Sequence, residues 1–246
     1  MKKILFYLIF VTASLNSFSQ KIKFSENECK IKIDSIYQHC KHRKAQSEVL
    51  KLCLANPNNA KSLENLYYLK RFAGKEDLKN TLNKLSDDNK SNIYAKGLDV
   101  FIQTDQIKEG DKYYDFNAKT SSNENFTLSE VLKEKDVLLI FEGLSCMGEN
   151  SRQELRELYN KLDLSKVEVV SFLNAKNEDD LKETIKKYNV TWLAISDYQG
   201  VMSKPWLAYM IFGTPTTVFI NTQGEVLVSR VSLVNKALSL AKAHKK

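Results

Sequence analysis

The chain has 246 residues, of which 43% are hydrophobic and 27% charged, so it is a globular chain rather than a disordered one, with room for a medium domain and a smaller one. Its 37 Lys and Arg against 30 Asp and Glu give a net charge of +7. No basic stripe with interleaved aromatics accompanies that charge, so a nucleic-acid partner is not expected.

At the N-terminus, Lys2 and Lys3 precede an apolar run that closes with small residues at Ser17 and Ser19. Residues 1–19 therefore read as a cleavable secretory signal, with cleavage near Ser19 and Gln20 and a periplasmic or secreted product. The run is too short to span a bilayer, no cysteine ends it to carry a lipid, and no second apolar span follows, so no stable membrane insertion is expected. Without Lys2 and Lys3 the chain carries 35 basic and 30 acidic residues. Residues 20–108 hold 17 basic and 11 acidic, and residues from 109 onward hold 18 and 19, so the excess lies on the N-terminal part as a solvated helical surface.

From 30 to about 103 the periodicity is helical. Ile33, Ile36, Tyr37 and Cys40 recur at helix spacing, as do Val49, Leu50, Cys53 and Leu54. Asn56-Pro57-Asn58-Asn59 breaks the run, and Leu63, Leu66, Tyr67 and Leu69 resume it. Gly74 ends that helix before a short one with Leu78, Leu82 and Leu85; Ser86-Asp87-Asp88 then caps a helix expected to run through Val100. The pattern changes near 106–110. The expected organisation is thus a helical N-terminal domain, 20–105, and a second domain, 109–246.

In the second domain Tyr114-Asp115-Phe116 leads a strand, and the segment from Phe126 reads as a loop into one helical turn. Strands are expected at 137–141, 167–173 and 192–196, and helices at 149–162 and 178–188. Residues 201–211 read as helical apart from Pro205. A hairpin, 216–220 with 225–231, turns at Asn221-Thr-Gln-Gly224, and a last helix begins at Ser232. Such alternation implies an α/β sheet with helices on both faces.

His39-Cys40-Lys41-His42 offers possible metal ligands but lacks a fourth, and reads as a solvated helix face. Met202, Met210, Trp192 and Trp206 read as core packing. With no Gly-rich phosphate loop and no Ser/His/Asp set, no cofactor and no metal are expected. The four cysteines are Cys29, Cys40, Cys53 and Cys146, and their pairing stays open.

Two segments carry a resemblance. Val137-Leu-Leu-Ile-Phe-Glu-Gly-Leu-Ser-Cys146-Met-Gly-Glu149 is similar to the strand, Trp-Cys-x-x-Cys and helix of the thioredoxin superfamily, and Gly213-Thr-Pro-Thr-Thr-Val-Phe-Ile220 to its cis-proline segment. Gly110-Asp-Lys-Tyr-Tyr-Asp-Phe116 and Tyr188-Asn-Val-Thr-Trp192 extend the likeness, so the chain resembles exported redoxins of the TlpA and AhpC/TSA group. The resemblance implies a thioredoxin-like fold, a central mixed β-sheet flanked by helices, preceded by a small all-α domain. It implies thiol–disulfide exchange through Cys146 on a thiol- or disulfide-containing protein, with Thr214 and a cis Pro215 shaping the substrate groove.

The motif departs from its family at three points. Ser145 replaces the tryptophan, Glu149 replaces the second cysteine, and Ile140 stands where the family has a buried acid. A dithiol route is thereby closed. A monothiol route remains, in which an external thiol, or Cys29, Cys40 or Cys53, resolves the mixed disulfide. The alternatives are a non-catalytic binding module using the proline groove and, more weakly, a thiol peroxidase, although the peroxiredoxin Pro and Thr are missing at Phe141 and Gly143. At the first turn of the helix Glu149 is expected to share the backbone donors available to a Cys146 thiolate, and its charge to oppose that thiolate. Glu142 is a further acid or base candidate, expected at the exposed end of a strand.

Overall fold

The computed structural model describes residues 24–141, 143–145 and 147–231. The expected signal segment, the helix from Ser232, Glu142 and Cys146 lie outside the described residues.

The N-terminal region is helical. Helix α1 (Glu26–His39) opens with a reciprocal cap: the Ser25 hydroxyl accepts from the Glu28 amide, and the Glu28 carboxylate accepts from the Ser25 amide. Helices α2 (His42–Ala55) and α3 (Ala60–Leu69) follow, split at Asn56-Pro57, and Asn59 caps α3 by accepting from the Ser62 amide at 2.8 Å. A 3-10 turn, Lys70–Phe72, leads to α4 (Lys75–Leu82). The helix expected through Val100 is instead two, α5 (Asp87–Lys90) and α6 (Ile93–Gln103). Asn92 is the reason: its side chain accepts from the Tyr94 amide at 2.9 Å and starts a new helix. Ile33, Val49, Cys53, Leu66, Leu98 and Phe101 form the core of this region.

The remainder is one mixed seven-stranded sheet in the order β2-β1-β5-β4-β3-β6-β7. Its strands are β1 (Asn117–Thr120), β2 (Asn125–Thr127), β3 (Asp136–Phe141), β4 (Val167–Phe172), β5 (Leu193–Ser196), β6 (Thr216–Ile220) and β7 (Val226–Val231). Strands β3, β4 and β5 are parallel; β6 runs antiparallel to β3. Between them lie α7 (Leu128–Leu132), α8 (Glu149–Lys161), α9 (Glu178–Tyr188) and α10 (Lys204–Ala208). The pleat of β3 sends Leu138 and Ile140 into one core with Leu155, Leu158 and Leu181, and Val137, Leu139 and Phe141 into the other with Phe172 and Tyr209. Burial on both faces explains why β3 is a continuous apolar run rather than an alternating one.

Two details differ from the sequence expectation. The short strand β2 stands where a loop was expected, pairing Phe126 with Ala118. The segment 201–211 is not one interrupted helix: a 3-10 turn at Gly200–Met202 ends first, and Pro205 lies in the opening turn of α10. Proline's missing N–H costs nothing there, so it starts the helix rather than breaking it.

The helices pack outside the sheet and touch it through α10 and the 3-10 turn before it. Leu207 is 3% exposed and belongs to the helical core. The Tyr67 hydroxyl donates to the Val201 carbonyl at 2.9 Å, and α6 passes so close at Gly97 that a Cβ there would meet the same carbonyl at 2.9 Å. Among the described residues no helix is long and apolar enough to cross a membrane.

Candidate functional site

Two loops meet at the end of β3. Gly143 follows Glu142 and has φ +104°, a conformation open to glycine. A Cβ added to it would lie 2.7 Å from the Pro215 Cα and 2.8 Å from the Pro215 nitrogen, closer than real side chains come. The chain leaving β3 therefore lies directly against the loop leading into β6. That loop contains a cis bond between Thr214 and Pro215, and the Thr216 hydroxyl donates to the Gly213 carbonyl at 2.5 Å. The strands keep the loops in register, with Phe141 opposite Thr216 and Ile140 opposite Thr217.

The stretch from Gly143 to Met147 is a closed turn, since the Met147 amide donates to the Gly143 carbonyl at 2.7 Å. Arg152, one turn into α8, holds it from below. Its guanidinium donates to the Leu144 carbonyl at 2.7 Å and also to the Met147 carbonyl. Cys146 falls within this turn in sequence. Glu149 is the first residue of α8, yet its carboxylate does not take the helix amides as expected. Arg152 Nε donates to it at 2.9 Å, and Arg156 reaches its other oxygen. Hydrogen bonds from Arg156 and Arg152 hold the Glu149 carboxyl below the usual carboxylate range. Two cations on successive turns are better partners for a carboxylate than neutral backbone amides. The Tyr188 ring lies under the Arg152 guanidinium, 5.2 Å from its centre, and so supports it from α9.

The structure thus adds Arg152 and Arg156 to the expected set of Cys146, Glu149, Glu142, Thr214 and Pro215. The available signal was their spacing from Glu149, three and seven residues along one helix face. Ile140 is 1% exposed inside the apolar core, so no carboxylate underlies the turn at that position.

The helical region also reaches this site. Arg71 and Phe72, ending the 3-10 turn, form one wall of an open recess of about 550 Å³ whose other wall is Phe212, Gly213, Thr214 and Pro215. Beneath it lies Lys70, 4% exposed, its Nζ 3.6 Å from the Tyr67 ring centre and 5.5 Å from that of Phe212. Burial pushes the Lys70 ammonium down to about 7.

The other cysteines lie in the helical region. Cys29 and Cys53 are fully buried in the helical core, and the Cys29 sulfur lies 3.2 Å from the Ser62 hydroxyl. Burial pushes the Cys53 thiol up to about 12. Neither can act as the resolving thiol considered from sequence, because a thiol with no exposed surface cannot reach a mixed disulfide. Cys40, the C-cap of α1, is half-buried. No group of three or more His, Cys, Asp or Glu among the described residues could hold a metal ion, and His39 instead contacts the Ser35 carbonyl at 2.8 Å.

Residues 110–229 match the AhpC/TSA family. This segment is a thioredoxin-like redoxin domain. The redoxin domain is similar to solved structures described as thiol–disulfide oxidoreductases. One is the thioredoxin domain of such a protein from Bacteroides vulgatus, with 17% identity over 55% of this chain and 99% of that one and a TM-score of 0.47. A thiol-disulfide oxidoreductase from Bacteroides fragilis shares 19% identity over 53% of this chain and 99% of its own, also at a TM-score of 0.47. A thiol:disulfide interchange protein from a Bacteroides species matches with 18% identity over 55% and 91% of the two chains, at 0.47. No curated protein matches the chain.

Proposed function

We propose that this chain is an exported two-domain protein, helical over 20–105 and redoxin over 109–246, that exchanges thiols and disulfides through Cys146 alone. The observation that carries the reading is the turn 143–147. It lies against Pro215, stands before the N-terminus of α8, and is held by the Arg152 guanidinium. A helix N-terminus and a fixed cation both favour a thiolate over a thiol.

In the proposed reaction the Cys146 thiolate attacks one sulfur of a substrate disulfide. A mixed disulfide forms, and the other substrate sulfur leaves as a thiolate that takes a proton from solvent. An external low-molecular-weight or protein thiol, as its thiolate, then attacks the Cys146 sulfur; the substrate's remaining sulfur leaves as a thiolate that takes a proton, and a disulfide between the external thiol and Cys146 takes its place. A second external thiolate attacks the external sulfur of that disulfide, which releases Cys146 as a thiolate and leaves the two external sulfurs joined as a disulfide. Position 149 is a glutamate and Cys29 and Cys53 are buried, so resolution falls to an external thiol or to the half-buried Cys40.

The apolar Ile140 favours a second reading, a binding module that uses the proline loop without chemistry, because it leaves no acceptor under the turn. One experiment separates them. Purified mature protein is incubated with a disulfide-containing protein, quenched with acid and run without reductant. The exchange reading expects a mixed disulfide that Cys146→Ser abolishes. Absence of that adduct, together with alkylation of Cys146 no faster than a free cysteine peptide at neutral pH, rejects exchange and leaves the binding module. N-terminal sequencing of the exported chain tests the leader; retention of Met1 on a cytoplasmic product rejects it.

A further inference from the structure

The recess beside Pro215 does not end at the redoxin domain. Arg71 and Phe72 also line a second recess, of about 810 Å³, whose far wall is His42, Arg43 and Gln46 at the start of α2. The two recesses share one rim and make a single path from Thr214 and Pro215 onto the helical region. Its lining carries Arg71, Arg43 and His42 and no acidic side chain. Among the described residues Arg43 makes no ion pair, and the Arg71 guanidinium is engaged only by rings, 4.5 Å from the centre of Phe72 and 5.4 Å from that of Phe212. A guanidinium stacked on rings keeps its in-plane donors free for a carboxylate. Phe72 is 50% exposed at the shared rim, a large apolar group covered only in part, by the Arg71 guanidinium.

We propose that this path is a docking groove for an extended acidic segment of the thiol protein exchanged at Cys146, with Arg71 and Arg43 reading its carboxylates and Phe72 taking an apolar side chain. The inference rests on the exchange reading for the identity of the partner, and on charge complementarity for the occupant. The chain's own ends are poor occupants: residues 232–246 carry four lysines, a histidine and no acid, and Lys21 and Lys23 flank the start of the described region. The helical region would thereby choose the partner while the redoxin domain performs the exchange.

The test uses the mature protein with Cys146→Ser, so that binding is read without covalent capture. Fluorescein-labelled, cysteine-free peptides of alternating Glu and Leu, and the same peptides with Lys for Glu, are titrated and followed by anisotropy at low and high salt. The Glu peptide should bind about tenfold more tightly than the Lys peptide and weaken with salt. The pair Arg43→Glu and Arg71→Glu should remove that preference, Arg43→Gln with Arg71→Gln should reduce it, and Lys186→Glu on α9 should leave it unchanged. Far-ultraviolet circular dichroism confirms that each variant is folded. Equal affinity for the two peptides, no binding of the Glu peptide up to about 1 mM, or a preference untouched by both double variants overturns the groove. Because mixed-disulfide formation is measured separately on the unmutated cysteine, loss of the groove and loss of the exchange reading are distinct results.

Discussion

Glu149 occupies the position a resolving cysteine would take, but two guanidinium groups answer its charge. Removing the carboxylate should therefore do more than delete a repulsion. In Glu149→Gln, Arg152 still holds the turn and the neighbourhood carries one negative charge fewer, which favours a thiolate at 146. The expected outcome is a rise in Cys146 alkylation at neutral pH of about three- to tenfold, equivalent to a pKa drop approaching one unit. Arg152→Ala should have the opposite sign, since it removes a cation and also the donor to the Leu144 and Met147 carbonyls. Iodoacetamide kinetics across pH measure both. A fall in rate for Glu149→Gln would mean that the salt bridge is needed to position the turn.

Lys70 offers a pH test independent of the chemistry. Its folded-state pKa of about 7 lies well below that of a lysine in water, because burial disfavours the charged form. The unfolded chain thus holds more protons than the folded one above pH 7, and stability from this group rises with pH, by at most about 1.4 kcal/mol per pH unit. Near pH 9 the buried Cys53 thiol, with its folded pKa raised to about 12, begins to act in the opposite direction. The clear window is therefore about pH 7 to 9. Lys70→Met should be more stable than the wild type at pH 6.5, with the difference shrinking by pH 8.5; denaturant titrations at the two values check it. The Tyr67 carbonyl that accepts from Lys70 Nζ keeps the Lys70 backbone amide as a donor in the variant.

Helix α6 shows how a local preference is overruled by packing. Glycine inside a helix ordinarily costs about 1 kcal/mol relative to alanine, so Gly97→Ala should stabilise an isolated α6. In the folded chain the new methyl would meet the Val201 carbonyl and the Tyr67 Cε2, each at 2.9 Å. One is backbone, and the other is a ring whose hydroxyl is bonded to that same carbonyl, so neither yields easily. Gly97→Ala is expected to destabilise the protein by about 1–3 kcal/mol, as overpacked substitutions do. A thermal melt with a raised midpoint would show that α6 is free to move off the 3-10 turn at Gly200–Met202.

The contact between helices and sheet has a consequence for the molecule as a unit. Leu207 from α10 sits in the core of the helical region, and Tyr67 bonds across to Val201. Both tryptophans, Trp192 and Trp206, lie in the redoxin domain, so fluorescence follows the sheet, while the signal at 222 nm is dominated by the helices. The two probes should give coincident denaturant transitions in the wild type. Leu207→Ala removes a buried side chain common to both parts, costs about 2–5 kcal/mol, and should separate the transitions. Separate transitions in the wild type would show that the two parts fold independently.

The order of strands and helices after Gly110 was legible from periodicity, because each element's apolar face must find a core and does so at a fixed spacing. Strand β3 and helix α8 begin within a residue of their expected positions for that reason. Cap choices were less legible. Whether Asn92 continues a helix or starts one depends on a side-chain bond that competes with propensity, and Pro205 is a start or a stop according to the turn before it. The partners of Glu149 and the reach of Arg71 and Phe72 to the Pro215 loop could not be read along the chain. The first depends on which of several donors lies nearest in space. The second joins residues more than 130 positions apart. Short-range order follows from the spacing of side chains along the backbone; the charges around the turn, the burial of Lys70 and the cationic path beside Pro215 arise only when the helices and the sheet are packed against each other.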